Sequence, residues 1–346
     1  MRCDEWKVVK LKDVCSIKYG KDHKKLNDGN IPAYGSGGLM RYVDSAIHNK
    51  KSVLIPRKGT LSNLFLVEPP FWTVDTLFWT DINLDLIIPD FLYYQLCIMD
   101  LASKNVGTAV PSLTTAILNE LDVILPSIEE QKHLISILCS IERKIETNQK
   151  INDNLQQQAQ AIYTSKFIDN ANPAWEQGHL SDLIAVKYGK DHKKLEDGSY
   201  PVYGSGGIMR YVERPLYDKE SVLIPRKGTL NNVMYVNQPF WSVDTMFYTE
   251  MRLSNVAKYV FHFVKSKDLA SMNAGSAVPS MTTDILNAME VVIPSASVLE
   301  EFEALVAPMY LTMQENDKQS ETLAKLRDTL LPKLMSSEID VSDISI

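Results

Sequence analysis

The chain has 346 residues, 45% hydrophobic and 23% charged, an ordinary globular composition with apolar material for about two domains. No run of 18 apolar residues occurs, which excludes an apolar membrane-spanning helix, and the start (MRCDEWKVVKLKD) lacks the apolar region of a signal peptide. The net charge of −7 argues against a polyanionic ligand only as an average: residues 18–61 hold nine Lys/Arg against three Asp/Glu, and residues 187–230 nine against six.

In chain order the first marked segment is KYGKDHKKL, residues 18–26, which returns letter for letter at 187–195. It puts three lysines and a histidine in a loop after Tyr-Gly, two of the lysines and the histidine within DHKKL. Phosphate contact and simple solvation are both open for Lys21 and Lys24, and for Lys190 and Lys193. IPAYGSGGLMRYV (31–43) returns as YPVYGSGGIMRYV (200–212). Its glycines suit a hairpin turn, or a loop whose bare backbone can approach a nucleic-acid backbone. Ser36 and Arg41, with Ser205 and Arg210, are candidates on that loop. SVLIPRKGTL (52–61) returns unchanged at 221–230. SVLI reads as a strand, and RKGT as its exit turn. Arg57 can bond guanine O6 and N7, and Lys58 can pair with phosphate. An exposed, solvated pair is the alternative for these two and for Arg226 and Lys227; Thr60 and Thr229 close the same turns.

LFLV (64–67) and LFW (77–79) read as further strands, and residues 91–101 as a helix. PFWTVDTLFWT (70–80) returns as PFWSVDTMFYT (239–249). Asp75 has no second acid or histidine at a telling position, so it reads as a turn-capping or arginine-paired residue, not a catalytic one. NVGTAVPSLTT (105–115) returns as NAGSAVPSMTT (273–283), where Ser112 or Thr114 caps a helix starting at Thr115 or the loop touches phosphate. The repeat offset drops from 169 to 168, placing a one-residue loss near residues 82–89.

From 128 to 167 there is no Pro or Gly. Leu134, Leu138, Ile141, Ile145, Asn148, Asn152, Leu155, Ala159 and Ile162 step by 4 and 3, an a/d seam along a helix roughly 60 Å long. The matching seam runs from Phe302 to Leu330, with Pro308 expected to kink or break its first third. Asn148 and Asn316 occupy the same seam position. Either they meet across an antiparallel crossing and set the register, or they are solvated and the seam shifts to Ile151.

The sequence holds no recognisable catalytic constellation. EPPF (68–71) resembles an amino-methyltransferase tetrapeptide, but it begins with Glu and its counterpart NQPF lacks a proline. No adenosyl-cofactor loop, Walker loop or triad appears. The histidines have no ligand-spaced partners, and Cys3, Cys15, Cys97 and Cys139 form no CxxC pair, so no metal or disulfide framework is expected and a reducing cytoplasm is.

The ordered set PxYGSGG, IPRKGT, FWxVDTxF, GxAVPSLT and LPS…EQ entering a heptad helix, all present twice, closely resembles the DNA-specificity (S) subunit of type I restriction-modification systems. The ending ETLAKLRDTLLPKLMSSEI (321–339) is similar to that family's usual ending. The resemblance implies an α+β fold with two similar mixed α/β target-recognition domains (1–126 and 169–294). They are joined by two long helices (127–168 and 295–339) forming an antiparallel, pseudo-two-fold coiled coil, before a tail at 340–346. It implies a non-catalytic chain that binds double-stranded DNA beside two methyltransferase subunits, with restriction or translocase subunits joining. S-adenosylmethionine, ATP and Mg2+ would sit on those partners and no cofactor here. Because the repeats are nearly alike, a gapped palindrome is expected, its half-sites about one helical turn (roughly 34 Å) apart. A self-sufficient methyltransferase or nuclease, and a structural pseudo-dimer without a DNA role, are the competing readings.

Overall fold

A computed structural model describes residues 6–107, 110–272, 280–336 and 338–339. The first repeat runs β1 (Lys7–Lys10), α1 (Leu11–Val14), β2 (Cys15–Tyr19), β3 (Asp28–Gly35), β4 (Gly38–Val43), β5 (Ser52–Pro56), β6 (Phe65–Val67), β7 (Trp72–Thr73), β8 (Leu77–Ile82), α2 (Pro89–Cys97), α3 (Thr115–Asn119), β9 (Asp122–Leu125) and the long α4 (Ile128–Thr164). The second repeats that order: β10 (Glu176–His179), α5 (Leu180–Leu183), β11 (Ile184–Tyr188), β12 (Asp197–Gly204), β13 (Gly207–Val212), β14 (Ser221–Pro225), β15 (Met234–Val236), β16 (Trp241–Ser242), β17 (Met246–Met251), α6 (Ala257–Lys265), α7 (Thr283–Asn287), β18 (Glu290–Ile293) and α8 (Ala296–Met335). The turn from β8 to α2 has one residue more than that from β17 to α6, which locates the deletion expected from the offset.

The chain forms two compact units, Met1–Asn148 with Asp317–Ile346, and Gln149–Asn316. Each unit therefore joins one globular repeat to part of each long helix. In the first, β2, β8, β5 and β6 form one sheet, β4, β3 and β7 another, and β1 pairs with β9. The second has the same three sheets: β11-β17-β14-β15, β13-β12-β16 and β10-β18. The pairings are antiparallel except β3 with β7 and β12 with β16.

The apolar run SVLIP makes a strand buried on both faces. Val53 and Ile55 join a core with Phe78, Phe91 and Leu96, to which α4 adds Leu134 and Leu138 and α8 adds Leu334 and Met335. Leu54 points the other way, onto Val67, Phe71 and Leu77. Burial leaves the strand's first hydroxyl needing a partner. Ser52 Oγ accepts from Thr80 N (3.0 Å) and Thr80 Oγ1 accepts from Val53 N (2.9 Å), and Ser221 and Thr249 do the same in the other repeat.

α4 starts at a capping box that LPSIEE announces: Ser127 Oγ accepts from Glu130 N (3.3 Å) and Glu130 Oε2 accepts from Ser127 N (3.0 Å). The a/d positions of both long helices are buried or half-buried, and Ile151 is 39% exposed, so the seam passes through Asn148. Within the first unit Asn148 Nδ2 donates to Gln319 Oε1 (2.9 Å) and Ser320 Oγ (3.1 Å), and Arg327 lies 3.9 Å from Glu142. Within the second Asn316 Nδ2 donates to Asn152 Oδ1 (2.8 Å), and Lys166 Nζ to Glu301 (2.7 Å). One helix number rises as the other falls, so the segments in each unit run antiparallel. Ser320 is the repeat counterpart of Asn152, and Asn316 of Asn148, so each unit makes the same polar contact once.

Pro308 does not break α8. It is exposed, so the Ala304 carbonyl left without its helical donor faces water, while buried Phe302, Val306 and Tyr310 hold the helix on its core. The expected helix at 91–101 is α2, which begins two residues earlier because Pro89 suits a helix start. No helix among the described residues is long and apolar enough to cross a membrane.

Candidate functional site

The repeated motifs, dispersed over some 95 residues of sequence, converge on one backbone segment, residues 72–77. Lys21 N donates to Thr73 O (2.9 Å) and Gly20 N to Leu77 O (3.0 Å), so the basic loop is laced to it. Trp72 Nε1 donates to Lys21 O (3.0 Å). The glycine hairpin joins through Val74 N to Tyr34 O (3.0 Å), and the RKGT turn through Arg57 N to Thr76 O (2.9 Å). The AVPSLTT segment completes the set, with Leu113 N on Arg57 O and Gly59 N on Pro111 O (both 3.0 Å). The second repeat is built alike around 241–246: Lys190 N on Ser242 O (2.8 Å), Val243 N on Tyr203 O (3.1 Å), Arg226 N on Thr245 O and Met281 N on Arg226 O (both 2.9 Å).

Glycine is needed where these segments cross. A Cβ on Gly20 would lie 2.0 Å from Val74 O, and one on Gly189 2.0 Å from Val243 O. Gly59 (φ +94°) and Gly228 (φ +88°) turn the chain out of the RKGT strands through the left-handed region. YGSGG is the tip of the β3–β4 hairpin, where Gly35 faces Gly38. Thr114 caps α3, its Oγ1 accepting from Ile117 N (3.3 Å), and Thr282 caps α7 in the same way. Thr108, Ala109 and residues 273–279 of the GTAVPS and NAGSAVP stretches lie outside the described residues.

The candidate side chains divide into engaged and free. Lys21, Lys24 and Lys58, and their mates Lys190, Lys193 and Lys227, are exposed and make no ion pair among the described residues. Thr60 and Thr229 are exposed beside them. Ser36 and Ser205 are half-buried, their carbonyls held by Asn63 and Asn232 (2.8 Å each). Arg41 is engaged: Nη2 donates to Leu26 O (2.9 Å) and lies 3.2 Å from Asp28. Arg210 does the same with Leu195 O (2.9 Å) and Asp197 (2.7 Å). Arg57 Nη1 donates to Asp75 O (3.0 Å), and its guanidinium lies 5.4 Å from the Tyr19 ring centroid. Arg226 repeats this with Asp244 O (3.2 Å) and Tyr188 (5.3 Å). Asp75 thus meets arginine by its carbonyl, and its carboxylate is exposed. Burial, with Tyr42 nearby, pushes the Tyr34 hydroxyl above its usual range.

Tyr19 and Tyr188 are functional candidates that motif reading passed over. Both lie inside the repeated nonapeptide, but strand alternation would turn them inward with Ile17 and Val186. At the strand ends they instead stay 52% exposed, propped edge-on against Phe78 and Phe247. Leu39, Met40 and Tyr42 are also exposed on the hairpin, as are Ile208, Met209 and Tyr211.

The surface is thus cationic, partly apolar, and present twice. Comparison with known proteins finds relatives of the whole chain. The sequence pattern of the type I restriction modification DNA specificity domain matches residues 3–157 and again 172–301. The MjaIX type I restriction enzyme specificity subunit of Methanocaldococcus jannaschii is 22% identical, covering 98% of this chain and 95% of the relative. The HindI type I restriction enzyme specificity subunit of Haemophilus influenzae is 20% identical, covering 74% of this chain and 79% of its own length. Among solved structures, the type I restriction-modification S subunit of M. genitalium shares the fold, with a TM-score of 0.66 at 17% identity over 99% of both chains.

Proposed function

The chain belongs to the type I restriction-modification DNA specificity family, and from that premise we propose that its two motif surfaces read the two halves of one gapped palindrome and so position partner adenine methyltransferase subunits. As a specificity subunit it is the non-catalytic member of such a system. The free lysines supply phosphate contacts, which position the duplex without reading it. The observation that carries the palindrome is that both repeats present the same arginine in the same setting: Arg57 on Tyr19 and Asp75 O, Arg226 on Tyr188 and Asp244 O. Equal surfaces on one chain read equal words on opposite strands, as in dimeric repressors. S-adenosylmethionine, ATP and Mg2+ belong to the partner subunits in this reading.

The test is a map of modified adenines in DNA from cells carrying the chain with its methyltransferase subunits. A gapped palindrome is expected. An asymmetric bipartite site would overturn the symmetry. Loss of binding with salt, in proportion to the phosphates neutralised, checks the lysine assignment separately.

A further inference from the structure

Two arginines per repeat belong to the motif surface, and the structure gives them different work. Arg41 pins the end of the basic loop through Nη2, which serves both Leu26 O and the Asp28 carboxylate, so its charge is already paired within the fold. Arg57 faces no carboxylate. One of its donors is fixed on Asp75 O and its plane lies near the Tyr19 ring, and no other partner for the guanidinium exists among the described residues. The backbone beneath it is clamped on both sides: Arg57 N and Lys58 N both donate to Thr76 O (2.9 and 3.3 Å), and Arg57 O accepts from Leu113 N (3.0 Å). Arg226 is clamped identically by Thr245 and Met281.

We propose that Arg57 and Arg226 each read one guanine through O6 and N7 in the major groove, with Tyr19 and Tyr188 as positioning residues. This rests on the DNA reading above. Direction separates the two roles. A phosphate attracts a cation from any side, so holding the side chain in advance gains little there, and the exposed lysines suit that task. Guanine and adenine share N7 and differ at position 6, where one accepts and the other donates, so telling them apart needs a fork held at a set angle. A guanidinium already braced by a ring face and a carbonyl has also lost much of the rotamer freedom that binding would otherwise remove. Because the two settings match, the two guanines fall at dyad-related positions, one in each half-site.

The experiment selects bound duplexes from a library with randomised half-sites, using the full chain with its methyltransferase subunits. The wild type should enrich a guanine at dyad-related positions. Arg57→Lys keeps the charge but loses the fork. It should lower the preference for guanine at one of these positions by roughly 5- to 150-fold, as Arg57→Ala does, and leave the other half-site untouched. Arg226→Lys should do the mirror image. Tyr19→Phe should be neutral and Tyr19→Ala should weaken the guanine preference without changing the salt slope. If Arg57→Lys keeps full discrimination, or Arg57→Ala weakens every sequence alike, Arg57 is a phosphate contact and the inference fails while the DNA reading stands. If the wild type enriches nothing, the DNA reading fails with it.

Discussion

Lys258 is the most deeply buried ion-pairing cation among the described residues: its side chain is 5% exposed, between Glu220 (2.8 Å, 33% exposed) and Glu303 (2.6 Å, 22% exposed). Its ammonium lies over the Tyr235 and Tyr310 rings (5.0 and 5.7 Å to the centroids), and Lys258→Met removes the charge while keeping an unbranched side chain of similar length. The two carboxylates would then be left together, half-buried and uncompensated. Breaking a buried pair in this way costs about 3–5 kcal/mol. For a unit of this size that lowers the midpoint of thermal unfolding by roughly 6–20 °C. The counterpart in the first repeat has the opposite polarity: Lys51 stands where Glu220 does, and Asp90 where Lys258 does, 3.0 Å apart. Lys51 and its second partner Glu68 are more exposed, so Lys51→Met should cost only ~1 kcal/mol. Calorimetry of the full chain would measure both. In the first repeat, Lys51→Glu and Asp90→Lys should each destabilise, and the double variant should recover most of the loss. Unchanged melting of Lys258→Met, or no recovery in the double variant, would refute the assignment.

Three further outcomes are expected. His262 is buried between Gln160 (2.8 Å) and the Tyr310 hydroxyl (2.9 Å), stacked on Tyr163, and burial, with Lys265 nearby, pushes its pKa down from 6.5 to about 3. The unfolded chain therefore binds the extra proton first, so stability is full above pH 6.5 and falls as pH drops toward 3; denaturant midpoints should follow that slope, and His262→Gln should flatten it. Gly20→Ala pushes a methyl into Val74 O, should cost about 1–3 kcal/mol by calorimetry, and should weaken DNA binding more than Lys21→Ala, because it displaces the whole basic loop. Pro308→Ala restores a helix donor at an exposed site and should raise the unfolding midpoint of the second unit, by up to ~3 kcal/mol in stability.

Much of this architecture is written locally and could be read locally. SVLIP announces a strand buried on both faces, LPSIEE a helix start, and the spacing of 4 and 3 from Leu134 the seam of a long helix. The contacts that divide the site were not legible, because they end on backbone carbonyls. Arg41 is taken up by Leu26 O and Arg57 is steadied by Asp75 O, and a carbonyl has no letter in a sequence. Both arginines therefore look equally free until the loop is folded. The role of residues 72–77 was hidden for a related reason. VDT drew attention for a carboxylate, whereas the segment works through Thr73 O, Val74 N and Thr76 O. Pro308 does not end its helix because propensity prices a lone helix, while Phe302, Val306 and Tyr310 hold this one by tertiary packing.

The divergence of the repeats is itself informative. β5 and β14 are identical at all five positions, yet α2 (PDFLYYQLC) and α6 (AKYVFHFVK), which occupy the same place after β8 and β17, are identical at none of nine. Drift alone would scatter differences over both. Here the strands run out into the motif turns, where a symmetric duplex would demand the same surface twice. The helices face inward and answer only to their own neighbours. They have accordingly changed in matched sets: Lys51 with Asp90 against Glu220 with Lys258, and Tyr94 on Glu142 (2.7 Å) against His262 with Tyr310 (2.9 Å). The charge reversal has a consequence for folding. With two interchangeable strands in one chain, a helix could dock on the wrong sheet, but Lys258 would then meet Lys51, and Asp90 would meet Glu220. Like charges at a half-buried contact would disfavour that exchange, which would help two domains that share their motif segments to stay distinct.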